Sequence, residues 1–92
     1  MDNDTMLAAV KVDLGINKSS YDERLGQYLD AARAAIEREG IVIDNYSVED
    51  GNMIVMYAAH LWRKRDTQEP MPKMLRWMMN NRLFSQKMQE ED

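Results

Sequence analysis

Most of the circumference of the segment from Met53 to Trp62 is apolar and cannot be left facing water. Read as a helix, it sets Ile54, Val55, Tyr57, Ala58, Leu61 and Trp62 on one broad apolar face. Met53, Met56 and Ala59 put further apolar surface on the other side. A helix apolar around most of its circumference belongs at the centre of a fold, covered by its neighbours. Ser47 and Asp50 suggest where it starts, and the basic run Arg63-Lys64-Arg65 where it ends. The rest of the chain must wrap it.

Three further helical segments are available for that purpose. The first is expected from about Thr5 to Leu14, with Asp4 as N-cap, Leu7, Val10 and Leu14 on one face, and Gly15 as the stop. The second opens on Ser20 and Glu23, spaced as a capping box. Tyr21, Leu25, Tyr28, Ala32, Ala35 and Ile36 follow at helical spacing, and Gly40 closes it with Ile41 placed for the accompanying apolar contact. Ile41-Val42-Ile43 is too short to build a sheet and reads as an extended connector. Pro70 and Pro72 forbid helix continuation yet suit a first turn, so the fourth helix is predicted to start between them. Leu75, Met79 and Leu83 lie along one of its sides, and Met74, Trp77 and Met78 along another. A helix apolar on two sides needs cover from its own domain or from a neighbouring subunit. The polar end from Ser85 is expected to fray. The fold class is all-α, a compact bundle of about four helices with a central third and the fourth docked across it. Residues 1–88 form one domain, and 89–92 an acidic tail.

Size and composition narrow the options further. A chain of 92 residues buries about 60–65% of the surface its unfolded form exposes. With no cysteine it has neither disulfides nor thiolate metal sites, so packing, or packing plus oligomerisation, must stabilise it. No apolar run approaches the roughly 20 residues a bilayer span needs, and the acidic start Met1-Asp2-Asn3-Asp4 is unlike a signal peptide. The expected setting is therefore soluble and cytoplasmic, with no membrane partner.

Chemistry-bearing constellations are few. His60 is the only histidine, and no serine sits in a nucleophile setting. No Gly-rich phosphate loop is present. The acid pairs Asp22-Glu23 and Glu49-Asp50 sit in first turns, where they complement the helix dipole. Neither an enzyme nor a cofactor or metal site is expected. Neither Ser20 nor Ser47 has the Asp-Ser-Leu context of an acyl-carrier protein. A sequence pI of about 4.9 argues against strong phosphate binding, and the third helix leaves no polar face to read a DNA groove.

Charge is unevenly spread along the chain. Eleven acids face five bases from Met1 to Ala59, whereas His60 to Met88 holds seven bases against Asp66 and Glu69. Two explanations stand open. A basic edge on one copy meets an acidic edge on the next, or bases gather where a helix C-terminus favours them. Nine methionines, six of them between Met53 and Met79, are either core filling or an adaptable contact surface. Met53 and Met56 suit the first role, Met74 and Trp77 the second.

One set of stretches resembles a known family. Tyr57-Ala58-Ala59-His60-Leu61-Trp62-Arg63-Lys64-Arg65 is followed by Glu69-Pro70-Met71-Pro72-Lys73-Met74-Leu75-Arg76-Trp77 and then Asn80-Asn81-Arg82-Leu83. With Leu7 to Ile16 as an opening helix and Asp30 to Glu37 in the second, this order resembles the head–tail connector (adaptor) proteins of tailed bacteriophages. The likeness runs from roughly Met6 to Met88. It implies a structural virion or prophage protein with no catalytic residues. About twelve copies would form a ring on the portal, joined by head-to-tail contacts. That ring would extend the DNA channel after packaging, receive a tail-completion or stopper protein, and let DNA pass without sequence-specific binding. Its place would be the virion head–tail junction, after assembly in the host bacterial cytoplasm. Subunit-interface residues expected from the two-sided helix and the charge asymmetry are Trp77, Met74, Arg76, Arg63 and Arg65. A small phage-encoded regulatory or DNA-binding module is the alternative.

Overall fold

The computed structural model describes residues 1–90, and Glu91 and Asp92 lie outside the described residues. Four α-helices follow one another: α1 (Asn3–Leu14), α2 (Asp22–Arg38), α3 (Val48–Lys64) and α4 (Lys73–Glu90). A single 3₁₀ turn, Ser19–Tyr21, precedes α2, and the described residues include no strand. The all-α bundle expected from the sequence is what forms.

Helix α3 touches each of the other three helices, as its all-round apolar surface requires. Met53, Ile54, Val55, Ala58, Ala59 and Trp62 are all buried along it. Met6 and Val10 of α1 cover one side, Leu25, Leu29, Ala32 and Ile36 of α2 another, and Leu75 and Met79 of α4 a third. Ile41 plugs the connector into the same core. Gly51 lies where α3 meets the chain start. A methyl group added there would come within 2.5 Å of the Met1 sulfur and 2.9 Å of its Cβ, so any side chain at this helical position would have to displace Met1.

Helix ends follow local chemistry, with four departures from the sequence-based expectation. Asp2, not Asp4, caps α1: its carboxylate accepts the Thr5 N–H at 2.7 Å, and that bond holds the Asp2 pKa below the ordinary range. Asp4 lies inside the first turn. At the other end Gly15 stops the helix at φ 69°, donating to the Val12 carbonyl while Ile16 N–H reaches Lys11. The Ser20–Glu23 capping box does not form. Tyr21 precedes α2 with φ −102° and ψ 1°, outside the extended region that a capping residue needs, and no side chain caps the helix there. The 3₁₀ turn instead sets the Tyr21 ring edge-on to Trp62, centroids 5.5 Å apart. Ser47 does cap α3, accepting the Asp50 N–H at 3.1 Å. Helix α4 begins after both prolines rather than between them, its first bond running from Arg76 N–H to the Pro72 carbonyl. It continues as helix through Glu90, past the Ser85 boundary at which fraying was expected.

Candidate subunit interface

Helix α4 is held by a narrow set of contacts, and these decide what it shows to the outside. Leu75 and Met79, four residues apart, seal one side against α3, and Leu83 continues that side. Beyond them a polar clasp takes over. Arg82 donates from Nε to Asp50 Oδ1 at 2.8 Å and from Nη2 to Asp50 Oδ2 at 3.2 Å, a two-pronged pair with the Asp50 side chain almost wholly buried. The same Nη2 reaches the Val42 carbonyl at 2.7 Å. Asp50 Oδ2 also accepts the Asp44 N–H. Gln86, one turn on, accepts Val42 N–H at 2.8 Å and donates to the Gly40 carbonyl at 2.9 Å. Backbone groups of a connector that has no sheet partner are thereby satisfied by two side chains of α4. The clasp fixes how the helix is rotated about its own axis.

That rotation turns a second apolar row outward. Met74 and Trp77 are 59% and 62% exposed, and Phe84 and Met88 on the same side are 65% and 56% exposed. Scattered exposed apolar residues are ordinary, but four large side chains on one helix face form a patch. Beside it lies an open groove of about 510 Å³. Met53, Met74, Trp77 and Met78 supply its apolar wall, and Glu49, Asp50 and Arg82 its polar end.

The basic residues expected at an interface are each occupied within the chain. Arg76 pairs with Glu39 at 2.7 Å, and this bond raises its pKa. Arg63 donates to the Asp13 carbonyl at 3.2 Å, tying the end of α3 to the end of α1. Arg65 lies over the Trp62 ring, 3.8 Å from its centroid, and bonds the Trp62 carbonyl. Trp62 also receives Tyr28 edge-on at 5.6 Å, so Arg65 caps an aromatic cluster joining α2 to α3. Of the five expected interface residues, Met74 and Trp77 are thus the two brought together on an open surface. Phe84 and Met88 belong to the same surface but are not among the residues expected from the sequence, where polar neighbours obscure them. The signal was there: they continue the row from Trp77 at helical spacing.

His60 is buried on α3, near Tyr57 and away from this surface. Burial first, and the Lys64 cation second, push its pKa below the ordinary value of 6.5. The folded protein therefore resists protonating it, while the unfolded chain takes up a proton as pH falls past about 6.5. The unfolded state binds more protons in that window, so His60 makes stability fall as the solution is acidified below it. Urea melts at pH 7 and pH 5 should show a smaller pH-dependent loss for His60→Gln than for the parent protein. Among the described residues, no cluster of three or more His, Cys, Asp or Glu side chains could hold a metal ion. Among the described residues, no helix is long and apolar enough to cross a membrane.

Comparison with curated proteins and with solved structures returns no match. A protein-family model does match: Phage gp6-like head-tail connector protein, over residues 4–71. The matched stretch takes in α1, α2, α3 and the proline turn up to Met71, shorter at its C-terminal end than the likeness read from the sequence. Helix α4, with its outward apolar row, lies beyond it. With nearly three quarters of its length matched, the chain belongs to the phage gp6-like head-tail connector family.

Proposed function

We propose that copies of this chain assemble head-to-tail into a ring on the portal vertex of a phage head. There the ring extends the DNA channel and presents a docking surface to a tail-completion or stopper protein. Family membership makes the chain a structural connector component of a phage particle, acting with portal and tail components. The observation that carries the finer reading is the outward row of α4. A fold this small has already covered its core with the inner side of that helix, so Met74 and Trp77 remain as anchors for another subunit. Arg63, Arg65 and Arg76 would supply the basic edge of the subunit boundary. Their internal bonds hold them in fixed positions, so their charge meets the acidic first half of a neighbouring copy without further ordering. Each contact can be modest, because closure of a ring multiplies it.

Native mass spectrometry of the chain with and without purified portal tests this reading. The expected result is a portal-bound assembly carrying a full complement of about twelve chains, whether or not free rings exist. A chain that leaves the portal unbound at high concentration would contradict it. A DNA-binding module is the competing reading. The acidic sequence pI of about 4.9 speaks against it, and an absent gel shift with duplex DNA would dispose of it.

A further inference from the structure

The outward residues of α4 fall at Met74, Trp77, Asn81, Phe84 and Met88, separated by three, four, three and four positions. This is the seam spacing of a two-helix coiled coil, with the first, third and fifth residues at one seam position and Trp77 and Phe84 at the other. It is distinct from the row of Leu75, Met79 and Leu83 that the helix spends on its own core. Asn81 stands at the middle of the seam, and a single asparagine there is a device for fixing the register and number of paired helices. We infer that, in copies not yet assembled on a portal, the α4 helices of two chains pair along this seam, parallel and in register.

Three observations select a second copy as the occupant. The seam pattern itself is self-complementary, since identical helices bring Asn81 opposite Asn81 and apolar residues opposite apolar residues. The area is right for a pair. With large side chains at about 150–250 Å² each, the exposed fractions leave about 500 Å² of side-chain surface per copy. Complete burial of these residues on pairing would remove at most about 1,000 Å², so with the flanks the contact approaches the low end of stable interfaces, about 1,200 Å². The charges select the orientation. Lys73, Asn80 and Lys87 lie on one flank of the seam, and Met78, Ser85 and the groove holding Glu49 lie on the other. Parallel helices set the first flank of each copy against the second flank of its mate, so lysines meet a neutral or acidic edge. Antiparallel helices centred on Asn81 would instead oppose Lys73 to Lys87.

Such a two-fold pair differs from the head-to-tail contact of a ring, so it regulates the surface assigned above rather than restating it. It keeps Trp77 covered until the portal offers more. The inference rests on the ring reading only for that role, and its test is separate. Sedimentation equilibrium of the full chain without portal should show a monomer–dimer equilibrium. Trp77→Ala should weaken it by about 30-fold or more. Asn81→Leu should tighten association and yield species larger than a dimer. The chain has no cysteine, so Met88→Cys is a clean probe. It should form a disulfide-linked dimer under mild oxidation if the helices are parallel. A monomer at all concentrations, or a dimer in which Met88→Cys stays uncrosslinked, would overturn the inference. Portal binding measured on the same samples shows whether the ring reading survives.

Discussion

Replacing Arg82 with alanine should destabilise the protein by about 3–5 kcal/mol, a large part of the 5–15 kcal/mol that a small domain has in total. The cause is what the substitution leaves behind. Asp50 would keep its carboxylate almost fully buried with the Asp44 N–H as its remaining partner from the clasp, and the Val42 carbonyl would lose its donor. Arg82→Lys should recover only part of the loss, because an ammonium cannot make both prongs of the pair. Removing both charges, Asp50→Asn with Arg82→Met, should cost less than Arg82→Ala alone. Urea denaturation followed by far-UV circular dichroism measures all three. An Arg82→Ala protein within 1 kcal/mol of the parent would mean that the clasp contributes little and that apolar contacts alone hold α4.

Trp77→Ala should have the opposite profile. The side chain is mostly exposed, so stability should change by no more than about 0.5 kcal/mol. Assembly on the portal should suffer heavily, by about 2 kcal/mol or more at each contact and by much more around a closed ring. Trp62 provides the control. It is buried among Tyr21, Tyr28 and Arg65, and Trp62→Ala should cost about 3–5 kcal/mol of folding stability. Thermal melts and portal-bound occupancy, measured side by side, separate the two tryptophans. A Trp77→Ala protein that melts early, or that fills the portal normally, would not fit the assignment.

What could be read from the sequence, and what could not, divides by distance along the chain. Helix α3 as the core, Gly15 as a stop, Ser47 as a cap and the two-sided nature of α4 are all set within a few residues, by periodicity and local backbone chemistry. Asp50 was readable only as a first-turn acid. Its main partner Arg82 lies 32 positions on, and no local pattern announces such a pairing. Arg63 and Arg76 were visible as charge, but their partners Asp13 and Glu39, 50 and 37 positions away, follow from how the helices meet, whereas Arg65 folds back on Trp62 only three residues before it. The Ser20–Glu23 box failed for the same reason in reverse. Docking of the Tyr21 ring on Trp62 accompanies a 3₁₀ turn that leaves no extended residue to act as cap. The outward face was half legible, because Met74 and Trp77 were recognised and Phe84 and Met88 were lost to the polar residues around them.

One side of α4 is spent on its own chain, and the other is proposed to serve other chains. Oxidative footprinting of Met74 and Trp77, with buried Met79 as internal reference, compares the free protein with the portal-bound assembly. The expected result is strong labelling of Met74 and Trp77 in dilute free protein that falls sharply on assembly, while Met79 stays unlabelled throughout. Complete assemblies in which Met74 and Trp77 label as freely as before would contradict it.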